Sequence, residues 1–129
     1  MNPFDLKAQT WDDNPQRLQL TMAAAEEMKK SIPLSTRWHA LDFGCGTGTL
    51  SFLLHTYLQE ITLADESASM LEVLYSKIKN SNSQNMHTLN LAQQAIDTQF
   101  DLIYTMMALH HIENTQDILH SFNTYLKPG

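Results

Sequence analysis

The sequence predicts an α/β domain built on a parallel sheet with helices on both faces. Two observations carry that expectation. Short apolar runs that end in glycine or an acid alternate with stretches of helical apolar spacing, and parallel strands need such crossovers. The first of these runs empties into the loop Gly44-Cys45-Gly46-Thr47-Gly48 directly before a helical pattern. In open parallel sheets ligands gather beyond the carboxyl ends of the strands, which is where this loop falls.

Each element has its own signal. Asn14 can cap a helix with Pro15 in its first position, and Leu18, Met22, Ala25, Met28 and Ile32 recur at helical spacing until Pro33. Residues 38–43 read as the first strand, and Leu50 to Leu58 as a helix with Leu50, Leu53, Leu54, Tyr57 and Leu58 inward. Ile61 to Ala64 repeats the strand pattern, and a helix from about Ser67 carries Met70, Leu71, Leu74 and Ile78. After a polar connector over 80–85, Met86 to Leu89 supplies a third strand, and residues 90–99 form a polar crossover. Phe100 to Met106 is the expected fourth strand, and Asn114 can cap a last helix bearing Ile118, Leu119, Phe122, Tyr125 and Leu126.

Composition narrows the function. The 129 residues suffice for one domain, read as a leading helical segment over 1–37 and an α/β core over 38–129. A net charge of -6 with scattered Lys and Arg leaves no face to track phosphates, so nucleic acid is not an expected partner. Cys45 is the sole cysteine, which excludes an internal disulfide and any multi-cysteine zinc site. The adjacent His110 and His111 lack metal-ligand spacing, so no metal is expected. No segment has the length and apolarity of a membrane span and the N-terminus has no leader pattern, so a cytoplasmic protein with no membrane partner is expected.

The three glycines permit a tight turn and let a ligand approach main chain, although a simple strand-to-helix turn would use them too. Thr49 stands where a dinucleotide fingerprint would place its third glycine, and no lysine follows as in a P-loop. What remains is an acid two residues before G-x-G-x-G, Asp42 to Gly48. Here the sequence resembles the class I S-adenosylmethionine-dependent methyltransferases. The resemblance continues through Asp65 after the second apolar run, the helix opening SASML, and the stretch from Phe100 that ends in LKPG.

That resemblance implies a Rossmann-like, doubly wound sheet in the order three, two, one, four, with S-adenosylmethionine as cofactor. Gly44, Cys45, Gly46 and Gly48 would meet the donor's methionyl chain, and Asp42 its amino group, directly or through water. Asp65, with Glu66 beside it, would take the ribose hydroxyls; the competing role for Asp65 is helix entry. Met70 would pack on the adenine or belong to the core. Asn90 stands where the family often has Asp to read the adenine amino group, and Leu91 would add an apolar wall and a usable backbone N–H. Thr105, Met106 and Met107 would lead toward the reacting sulfur, with His110 or His111 as general base. Cys45 is not expected to be a nucleophile.

The expected acceptor is a small molecule, because TMMALHH lacks the N-P-P-Y type signature of members that methylate exocyclic or amide nitrogens. The family typically has seven strands against four here, which implies the front part of a domain and an open fourth-strand edge that would pair with a second copy. A non-catalytic or partner-completed binding module is the alternative function, and a nicotinamide-dependent oxidoreductase a more distant one.

Overall fold

The computed structural model describes residues 14–106 and 122–128. Helix α1 spans Pro15–Ser31. Asn14 caps it as expected, its side-chain oxygen accepting from the N–H groups of Gln16 at 2.9 Å and Arg17 at 3.1 Å. Ile32, which precedes proline, is already extended, and the helix stops there. Its apolar stripe is only half used. Ala24, Ala25 and Met28 pack on the core, whereas Leu18 is 44% and Met22 50% exposed although they share the same helical spacing. Periodicity defines an apolar face; it does not specify what covers it.

Strand β1 (His39–Phe43) leads through the glycine loop to helix α2 (Thr49–Leu54), and strand β2 (Glu60–Asp65) to helix α3 (Ala68–Ser81). Strands β3 (Met86–Asn90) and β4 (Leu102–Tyr104) follow. The sheet order is β3-β2-β1-β4 and every pairing is parallel, so the Rossmann-like α/β fold expected is the fold observed. Among the described residues no helix is long and apolar enough to cross a membrane.

Alternation along the strands divides the apolar residues between two faces. Ala40, Ile61 and Leu63 face a layer formed with Ala25, Leu50, Leu54, Leu71 and Leu74 of the three helices. Leu41 and Ala64 face the other way, onto Phe100, with Ile96 and Tyr125 packed around them. Each face is thus closed by hydrophobic burial, at roughly 25 cal/mol per Å² of apolar surface removed from water.

Two elements are shorter than their sequence patterns. The helix expected to run to Leu58 ends at Leu54 and tightens into a 3-10 turn over His55–Tyr57, whose carbonyl at His55 accepts from the Asn85 amide at 2.8 Å. Leu58 is still buried, but Tyr57 turns outward, with the Lys29 ammonium 5.0 Å from its ring centroid. The fourth strand does not begin at Phe100. That residue bridges Leu126 instead, and the Asp101 carboxylate accepts from the His39 N–H at 2.8 Å. The last helix expected lies largely outside the described residues, of which 122–125 are helical.

Gly48 is the tightest joint in this arrangement. Its φ is +79°, and an added Cβ would lie 2.6 Å from Leu74 Cδ1 and 2.9 Å from Leu63 Cδ2. Backbone handedness and close packing both require glycine here. Gly48→Ala is therefore expected to lower unfolding free energy by about 2–4 kcal/mol, the sum of a left-handed penalty and overpacking. Urea denaturation of the two proteins checks this.

Candidate functional site

The loop between β1 and α2 is held from three sides. The N–H groups of Gly44 and Cys45 both donate to the Ala64 carbonyl, at 2.8 and 3.0 Å, which fastens the loop's start to β2. Gly44 and Gly46 have φ of +69° and +57°, so the chain reverses through conformations that L side chains avoid. From α3, Lys77 Nζ donates to the Thr47 carbonyl at 2.8 Å while lying 5.1 Å from the Phe52 ring centroid. Lys77 carried no signal in the sequence beyond being a cation on a helix.

Asp65 is the third fastening. Its Oδ2 accepts from the Gly46 N–H at 2.8 Å and its Oδ1 from the Ser67 N–H at 2.9 Å. Ser67 in turn caps α3 through its hydroxyl, which accepts from the Met70 N–H at 3.2 Å. The ligand-binding and helix-entry roles are thus not exclusive. Each carboxylate oxygen has capacity for another hydrogen bond, so a pair of hydroxyls can still be received.

Asn90 lies across from Asp65 in the β2–β3 register. Its side-chain oxygen accepts from the Ala92 N–H at 2.9 Å, which organises the turn leaving β3. The Leu91 N–H expected to be usable by a ligand is instead committed to the Asp65 carbonyl at 2.9 Å. Main-chain pairing of consecutive strands consumed it, an outcome that spacing along one strand does not reveal. Met70 is buried and Glu66 exposed. Gly48 is buried against Leu63 and Leu74. Thr105 and Met106 follow β4 directly, with Met106 exposed. Met107, His110 and His111 lie outside the described residues. Cys45 is half-buried, and burial together with Asp42 and Asp65 pushes its thiol well above the ordinary range, which disfavours a nucleophilic thiolate.

Beneath the loop, Asp42 is only 2% exposed. Its Oδ2 accepts from the Ser51 hydroxyl at 2.6 Å, and Ser51 Oγ lies 2.7 Å from the Tyr104 hydroxyl. Neither Ser51 nor Tyr104 was expected at the site. A serine on an otherwise apolar helical face and a tyrosine tip within an apolar strand were the available signals. Burial raises the Asp42 carboxyl to about 7, with the negative charge of Asp65 adding to the effect and the Ser51 hydrogen bond opposing it.

The site therefore presents two acids at the ends of adjacent parallel strands, flanking a bare loop, in a Rossmann-like sheet. The family described as "Methyltransferase domain" matches residues 41–129, and the chain belongs to that family. It is 32% identical over 99 residues to an uncharacterized methyltransferase of Schizosaccharomyces pombe, covering 69% of this chain and 35% of that protein. It is also 32% identical over 97 residues to the ubiquinone biosynthesis O-methyltransferase of Coxiella burnetii, covering 70% of this chain and 40% of the relative. The chain thus spans well under half the length of these two relatives. Among solved structures, a SAM-dependent methyltransferase from Aquifex aeolicus superposes with a TM-score of 0.76 at 21% identity, over 96% of this chain and 68% of that one. Coclaurine N-methyltransferase bound to N-methylheliamine and SAH superposes with a TM-score of 0.73 at 18% identity, over 84% and 33%. At such identities the superpositions establish the fold.

The raised Asp42 carboxyl has a consequence for stability. The folded state holds this proton more tightly than the unfolded chain, whose carboxyl titrates near its ordinary value of 3.8, so the contribution is full below that value. It is lost as pH rises and is gone above about 7. Relative to Asp42→Asn, which does not titrate, the ligand-free protein is expected to lose on the order of 4 kcal/mol between these limits. Parallel urea denaturation of both proteins at several pH values from 4 to 8 measures that difference.

Proposed function

We propose that this chain forms the donor-binding part of an S-adenosylmethionine-dependent methyltransferase with a small-molecule acceptor. The observation that carries the reading is the Asp65 carboxylate, pinned by the Gly46 and Ser67 N–H groups at the joint between the bare loop and α3. An adenosyl ligand offers two adjacent ribose hydroxyls, and a carboxylate fixed at both oxygens is set to accept from them. The donor's ammonium and sulfonium are cationic, and two carboxyl groups supply the complementary field.

S-adenosylmethionine, when bound, supplies an electrophilic methyl group on sulfur. The chain's part is then binding and alignment, which can supply much of a transfer's acceleration. Gly44, Cys45 and Gly46 line the methionyl side, and Asp42 serves the ammonium. Asn90 and the side chain of Leu91 bound the adenine, with recognition resting on the Asn90 amide because the Leu91 N–H is taken. Thr105 and Met106, at the exit of β4, adjoin the reacting centre, and His110 or His111 is the general base for an acceptor that carries a proton. The name of the Coxiella relative and the ligand of the coclaurine enzyme support a small acceptor, as does the chain's net charge of -6.

Calorimetric titration with S-adenosylhomocysteine tests the reading. Micromolar binding is expected, weakened about 100-fold or more in Asp65→Ala by loss of two charge-assisted hydrogen bonds. Folded protein that shows no binding would sink it.

A further inference from the structure

The chain Tyr104, Ser51, Asp42 joins β4, α2 and β1 beneath the glycine loop, and all three residues are buried. Its direction follows from proton supply. With Asp42 ionised, the single Ser51 hydroxyl proton goes to the carboxylate over 2.6 Å, so the 2.7 Å contact must be donated by Tyr104. Burial and the Asp42 charge raise the Tyr104 phenol well above its ordinary range, which keeps that proton available. Ser51 is the one hydrogen-bond donor to Asp42 among the described residues, yet no sealed polar side-chain atom among them lacks a partner. The relay engages Oδ2, which fixes the other carboxylate oxygen as the one left to accept from a ligand.

We propose that Tyr104 and Ser51 are positioning residues that hold the Asp42 carboxylate with one oxygen turned to the ammonium of the methyl donor, so that a hydroxyl on β4 is part of donor recognition. The inference rests on the donor reading above. It adds a requirement which β1, β2 and the glycine loop do not impose by themselves: the segment that leads to Thr105 and Met106 must be seated for the amino-acid end of the donor to be held. Asp65 serves the other end of the ligand and has no hydrogen bond to this relay, so the two halves of the donor are separable by experiment.

Two ligands separate them. S-adenosylhomocysteine carries the amino-acid moiety, and 5′-methylthioadenosine keeps the adenosyl and sulfur portions without it. In calorimetric titrations Tyr104→Phe is expected to weaken S-adenosylhomocysteine about fivefold and Ser51→Ala about tenfold or more, each leaving 5′-methylthioadenosine within about twofold. Equal weakening of both ligands would reduce the relay to a general support of the fold, and unchanged S-adenosylhomocysteine affinity in both variants would remove it from recognition; either result overturns the proposal while leaving the donor site intact. Wild-type protein that binds neither ligand overturns the donor reading itself, and the relay with it.

Discussion

The site depends on one carboxylate placed between two backbone turns. Left-handed conformations at Gly44 and Gly46 turn N–H groups away from any regular ladder, and buried N–H groups without partners are costly. Asp65 accepts one of them from Gly46 and, with its other oxygen, the N–H that opens α3 at Ser67. The loop after β1 and the start of the helix after β2 are therefore tied together by one carboxylate, and Lys77 further along that helix adds a second tie at the Thr47 carbonyl. Ala64, one residue earlier, holds Gly44 and Cys45 through its carbonyl, and the Asp65 carbonyl holds Leu91. The end of β2 is the hub from which the neighbouring loops hang.

Asp42 solves a different problem at greater cost. It is almost wholly buried under the loop, with the Ser51 hydroxyl as its support, so ionisation is opposed by desolvation and by the charge on Asp65. A protein selected for stability alone would gain by replacing such a group with an apolar one, since buried charges rarely repay their desolvation. Its presence beside a bare loop fits a site that draws a cation, where the incoming charge favours the ionised form that the empty fold resists. The relay through Ser51 to Tyr104 supplies hydrogen bonds that a cation alone would not.

The fold and the acids of the site were legible because they rest on local chemistry. Glycines at alternate positions after an apolar run, an acid at the end of each of two strands, and Leu71 and Leu74 at helical spacing all report on their own neighbourhood. What could not be read was decided by partners far along the chain. The Leu91 N–H was lost to Asp65, 26 positions away; Lys77 found the Thr47 carbonyl across 30, and Tyr104 met Ser51 across 53. Leu18 and Met22 illustrate the converse, since they share a helical spacing with Ala25 and Met28 yet stand exposed while those two pack on the core. Phe100, apolar and next to a strand, was taken by Leu126 instead of the sheet.

Parallel register gathers these scattered choices into two neighbouring rows, because Asp42 lies opposite Leu63, two residues before Asp65. Asn90 lies opposite Asp65, and Asp42 opposite Tyr104, so each of the four strands contributes a polar residue near its carboxyl end. Side chains alternate along a strand, and a slip of one residue in any pair would send the partner to the opposite face. The apolar residues prevent that slip: Ile61 and Leu63 must face the helical layer, and Leu41 and Ala64 must face Phe100. The placement of the polar residues is thus enforced by burial on both sides of the sheet. Core substitutions in β1 or β2 should consequently reach the site through register and spacing, whereas the surface-facing half of α1 has no such route to it.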